Sequence, residues 1–97
     1  MYNNKTPHKQ IFLLYTCDEW YSKDSQKLIM ATTSVEKLKS KTAKLIEVGD
    51  FDYNNPEWDR SVQAEAFLKD FEKSTRTDIN SLLKYGFIDY CYDGEEI

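Results

Sequence analysis

Apolar positions change period along this chain, and each change predicts an element. Ile11-Phe12-Leu13-Leu14-Tyr15-Thr16-Cys17 is an unbroken apolar run that predicts a strand over 11–17. Both of its faces are apolar: Ile11, Leu13, Tyr15 and Cys17 on one, Phe12 and Leu14 on the other. A strand of that kind is central and covered on both sides, or belongs to a sheet that packs on a partner. A weaker run, Lys27–Thr32, predicts a second strand that suits an edge. Between them lie the nine residues Asp18–Gln26, too many for a tight hairpin turn. They carry Trp20 and Tyr21, and an aromatic loop on a rigid strand pair is a common way to present a binding surface.

The period then lengthens. Thr33-Ser34-Val35-Glu36 reads as a capping box, with Thr33 as the N-cap and Glu36 three residues on. Val35, Leu38, Thr42, Leu45 and Ile46 form a helical apolar stripe, Lys37, Lys39, Lys41 and Lys44 lie mostly on the other face, and Gly49 ends the helix. Asp50–Asn55 is a loop whose Phe51 and Tyr53 are expected to anchor on the core. Asn55-Pro56 reads as a cap and first helical residue, with Glu57 and Asp59 favouring the helix dipole. This places Trp58 one turn inside the helix, as a core or staple residue. Ala64, Phe67, Leu68, Phe71 and Thr75 continue the period, then Ile79, Leu82 and Leu83. The stretch Ser74–Asp78 favours a break with Thr77 as a second cap, with one long helix to Tyr85 as the alternative. Gly86 closes the helical region, and Phe87–Tyr92 predicts a third strand.

The order β-β-α-α-β predicts an α+β, two-layer domain. A short antiparallel or mixed three-stranded sheet packs against helices, with the first strand in the middle. Beside it, the third strand would bring Cys91 near Cys17. At 97 residues the chain is one domain, 1–97, with residues 1–9 a flexible leader and 93–97 an acidic tail.

Charge is unevenly placed. Residues 1–33 carry four lysines and three acids, whereas 56–97 carry five cations and ten acids, a net −5. Such an acidic half repels a phosphate backbone and argues against general nucleic-acid binding. No apolar run is long enough to span a membrane, and the N-terminus has no secretory h-region. Cytoplasmic localisation is therefore expected, with free thiols.

Assembled chemistry is hard to find. The single histidine, His8, sits in the leader. Cys17, Cys91 and His8 are too few to hold a structural zinc, and no glycine-rich phosphate loop exists. No cofactor or metal is expected. Asp18-Glu19 admits two readings, a divalent-cation or acid–base pair, and carboxylates that cap the loop backbone. Trp20 and Tyr21 read either as a partner-binding hot spot or as cover for the sheet.

The stretch Tyr15-Thr16-Cys17-Asp18-Glu19-Trp20, the Ser25 region, Leu28–Thr33 and Leu83–Tyr90 resemble a group of small uncharacterised bacterial and phage or prophage proteins. The resemblance covers most of the chain after residue 10. It implies an accessory role in a mobile element and brings no catalytic residues, because that group has no assigned function.

The expected function is that of a small non-enzymatic interaction protein. It would bind an unknown protein partner, or a second copy as a homodimer, through the loop or a sheet edge. Candidate binding residues are Asp18, Glu19, Trp20, Tyr21, Lys23 and Lys27. Two alternatives stand beside it. One is a small-ligand or nucleotide binder, with stacking on the 18–26 loop and charge from Lys23 and Lys27. The other is an acidic nucleic-acid mimic acting as an inhibitor.

Overall fold

The computed structural model describes residues 10–73 and 76–92, so the leader, His8 and the acidic tail lie outside the described residues. The chain is a small α+β domain with a three-stranded antiparallel sheet and a two-stranded one.

β1 (Gln10–Thr16) is the middle strand, flanked by β2 (Lys27–Thr32) and by the last strand, Gly86–Tyr92, in the order β2-β1-β5. Its apolar run places Leu14, fully buried, over the core beside Phe12. The β1–β2 register slips between Leu14 and Tyr15, leaving Ile29 as an extra residue in a bulge.

α1 (Val35–Glu47) covers this sheet with Leu38, Thr42 and Ile46 buried. Its cap is Ser34 rather than Thr33. The Ser34 hydroxyl accepts from the Lys37 amide at 3.2 Å, so position three past the cap is Lys37 and the expected capping box is not formed. At the other end Gly49 has φ +93°. Its amide donates to Ile46 O and that of Asp50 to Leu45 O, closing the helix as expected.

Phe51 and Tyr53 are buried, as their place in the loop suggested, and β3 (Asp52–Tyr53) pairs with β4 (Leu83–Lys84). The second helix starts later than Asn55-Pro56 implies. α2 spans Arg60–Lys73, and the Asn55 side chain instead accepts from the Glu57 amide at 2.9 Å, capping a turn. Trp58 therefore precedes the helix and is exposed. Gln63, one turn into α2, is fully buried and explains the delay. Its Oε1 accepts from the Tyr53 amide at 2.8 Å, and its amide nitrogen donates to Trp58 O at 2.9 Å. These bonds hold the 53–58 turn against the helix.

α3 (Arg76–Leu82) follows; of the stretch Ser74–Asp78, where a break was expected, residues 74–75 lie outside the described residues and the rest, Thr77 included, lies within α3. Gly86 does not close a helix either, since α3 ends at Leu82 and β4 intervenes. It opens β5 (Gly86–Tyr92), where a Cβ would lie 2.4 Å from the buried Phe51 ring. A side chain is excluded there by packing.

β5 runs antiparallel to β1, with Ile11 opposite Cys91 and Thr16 opposite Gly86. Adjacency of the two strands is as expected, but the register separates the thiols. Cys91 lies about 20 Å along the strand from Cys17 at about 3.4 Å per residue, well beyond disulfide reach. Both cysteines are free.

Candidate functional site

Alternation along the sheet decides what is left uncovered. Leu14, its neighbour Met30 and Ile88 opposite it point to the helices. Ile11, Leu13 and Tyr15 on β1, Leu28 and Ala31 on β2, and Phe87 on β5 therefore occupy the other face. Among the described residues no helix packs there. Tyr15 stacks on Phe87 with ring centroids 4.8 Å apart, and Leu28 stands across from Tyr15. Tyr21 reaches in from the loop to 6.3 Å from the Phe87 ring. The row Leu28–Tyr15–Phe87–Tyr21 thus crosses all three strands and ends on the loop. Leu28 remains 51% exposed and Ile29 40%.

The loop is built around Asp18. Its Oδ1 accepts from the amides of Trp20 (3.1 Å) and Ser22 (3.0 Å), and its Oδ2 from the Ser22 hydroxyl (2.7 Å). The Asp18 amide donates to Ser25 Oγ, whose own hydroxyl donates to Ser22 O. Gln26 ties the far side by donating to Tyr21 O at 3.0 Å. A 3-10 turn, Lys23–Ser25, returns the chain to β2. The hydrogen bond from the Ser22 hydroxyl, then that from its amide, hold the Asp18 carboxyl below the usual carboxylate range.

Tyr21 is the loop's anchor. Its hydroxyl donates to Leu83 O, and its backbone takes a left-handed φ of 57°. That conformation costs a bulky residue about 1–3 kcal/mol. Tyr85, with φ 72°, lies at the adjoining corner and accepts from the Cys17 amide at 2.9 Å. Burial pushes the Tyr21 phenol up, and burial followed by the Asp18 charge does the same to the Cys17 thiol. Cys17 is consequently a packed, protonated thiol.

The six candidate residues separate into different roles. Asp18 organises the loop, so the capping reading holds for it and its oxygens are engaged by the loop's own donors. Tyr21 is pinned across the corner, partly covering the sheet. Trp20, 76% exposed, projects to solvent, which leaves it available as a contact residue. Glu19, Lys23 and Lys27 are exposed, and no hydrogen bond or ion pair draws their side chains together. Among the described residues no three His, Cys, Asp or Glu side chains form a group able to hold a metal ion. No helix among them is long and apolar enough to cross a membrane.

The residues missed at the sequence level are those of the sheet's outer face, Leu28, Ile29 and Phe87. The signal was the doubly apolar pattern of 11–17, which needs the register with β5 before it names the partners of Tyr15. No family model matches the chain, and neither does any curated protein or solved structure.

Proposed function

We propose that this chain is a non-enzymatic interaction protein whose contact surface is the uncovered face of its main sheet, with Trp20 at the margin, and whose partner there is a second copy. The row Leu28–Tyr15–Phe87–Tyr21 carries the reading. Trp20, Tyr21, Leu28 and Ile29 are all exposed, and large apolar side chains grouped on a surface mark interaction sites. Ile11, Leu13, Tyr15 and Phe87, each partly covered, lie on the same face. An apolar, aromatic surface is complementary to itself, and two sheets stacked face to face at about 10 Å would bury it on both copies. The fixed Tyr21 backbone supports the same reading, because an anchored loop loses little freedom on binding.

Sedimentation of the wild type over a wide concentration range tests this. Concentration-dependent dimerisation is expected, weakened about tenfold or more by Leu28→Lys, which sets a charge in an apolar contact. A wild-type chain that stays monomeric up to about 1 mM refutes the self-association. Capture from lysate with wild type and Trp20→Ala/Tyr21→Ala would then test a different protein partner.

A further inference from the structure

The two edges of the main sheet are treated differently. On the outer side of β5, Asn80 acts as a substitute strand. Its side-chain nitrogen donates to Ile88 O at 2.8 Å, and its Oδ1 accepts from the Ile88 amide at 2.9 Å. α3 thereby occupies that edge at Ile88. This also fixes the phase of the ladder. Ile88 turns its backbone groups away from β1, so its neighbour Leu14 turns its own toward β2, where it meets Met30. Ala31, one residue on, directs its N–H and C=O outward. Among the described residues no strand pairs with that side of β2.

Beside this edge runs an open groove of about 400 Å³, lined by Met30 and by Glu36, Lys37, Ser40 and Lys41 of α1. Met30 gives it an apolar floor. Lys37 and Lys41 are exposed. Neither is in an ion pair among the described residues, in contrast to Lys39, which reaches Glu72 at 2.9 Å.

We propose that the β2 edge and the Lys37–Lys41 flank of α1 dock an extended acidic segment of another protein, which adds to the sheet as a fourth strand. Strand addition supplies main-chain hydrogen bonds, and the flanking side chains choose the sequence. The bulge at Ile29 interrupts the ladder of β2, so regular pairing is confined to its second half. Main-chain bonds are then few, and the two lysines carry much of the recognition. The same lysines argue against a second copy here. Pairing β2 with its own twofold image would bring two Lys37–Lys41 flanks of α1 together, and like charges beside the edge oppose self-pairing. An acidic strand meets the opposite charge, since Lys37 and Lys41 outnumber Glu36 in the groove.

The test uses the full chain and a fluorescein-labelled ten-residue peptide of alternating valine and glutamate, followed by fluorescence anisotropy at low ionic strength. Saturable binding is expected, weakening as salt screens the lysines, with no binding of the valine–lysine counterpart. Lys37→Glu/Lys41→Glu, both at exposed positions, lowers affinity by about tenfold or more. Ala31→Pro removes an outward amide without taking a bond from β1 and abolishes binding. If that variant does not fold, the wild-type Ala31 amide provides the same information, since its NMR resonance shifts and its exchange slows when the peptide adds. Any of three results overturns the proposal: no saturation up to about 1 mM peptide, equal affinity of the charge-reversed variant, or an Ala31 amide that does not respond. Self-association lost in Ala31→Pro but kept in Leu28→Lys overturns it too, because a second copy would then hold the edge.

Discussion

Gln63 offers the sharpest test of how this fold is held. It is fully buried on an amphipathic helix, and replacing it by methionine keeps the length of the side chain while removing its amide. The Tyr53 amide, on a fully buried residue, would lose its acceptor at 2.8 Å, and an orphaned buried donor costs about 1–3 kcal/mol. Losing the 2.9 Å bond to Trp58 O adds about 0.5–1.5 kcal/mol. The contact with Pro56 O, at 3.4 Å, is too long to add much. Better transfer of the thioether into the core returns up to about 1 kcal/mol. The net loss is about 2–3 kcal/mol, which for a domain of this size lowers Tm by roughly 10–20 °C. Urea unfolding followed by far-UV circular dichroism should show a lower midpoint at an unchanged slope. Val62→Ala, at an exposed neighbour, should stay within about 0.5 kcal/mol of wild type. A Gln63→Met protein that melts within about 3 °C of wild type would refute the reasoning. The 53–58 turn would then be held by something other than this side chain.

Gly86→Ala should destabilise by about 1–3 kcal/mol, because the added Cβ would stand 2.4 Å from Phe51 Cζ and 2.7 Å from Tyr15 O. Phe51→Leu in the same chain should relieve part of that cost, and strictly additive effects in denaturant melts would count against a steric origin. The depressed Asp18 carboxyl makes the loop acid-sensitive. Its contribution is present above the ordinary carboxylate value near pH 4 and is lost as pH falls through the lower folded value. A carbon-detected NMR titration should find Asp18 below the exposed acids, with Ser22→Ala returning it upward, and an unchanged titration in that variant would remove the Ser22 contribution.

Much of the fold was legible because the strongest signals are periodic. The apolar run near 11–17, the 27–32 edge strand and the stripe of α1 emerge at the expected places because burial on one side of a regular element must repeat with its period. What failed was punctuation. Asn55-Pro56 carries the same residues whether it opens a helix or a turn, and the choice was made by Gln63, eight residues further on. Thr33 and Ser34 are equally good caps locally; the amide of Lys37 falls within reach of Ser34. Gly86 looked like a stop signal, yet its glycine is demanded by Phe51, 35 residues away. The two-residue strands β3 and β4 are too short to leave any period at all.

The candidate site divides along the same line. The loop was visible as a loop, and the capping capacity of Asp18 follows from its type. The proposed contact surface was not visible, because it is defined by register. Tyr15, Phe87 and Leu28 are far apart in the chain and become one row only when β5 aligns Phe87 with Tyr15 and the bulge aligns Leu28 with it. A slip of one residue in either pairing would turn Leu28 or Phe87 toward the helices and break the row. The register is set from the other side of the sheet, where Leu14 and Ile88 are buried and Asn80 grips both backbone groups of Ile88. The core thereby dictates which apolar side chains are left outside. Burying Leu14 and Ile88 obliges Tyr15 and Phe87 to face away. On that face Tyr15 and Phe87 stack on each other and Tyr21 leans on Phe87, so the same register that fills the core also seats the loop against the sheet.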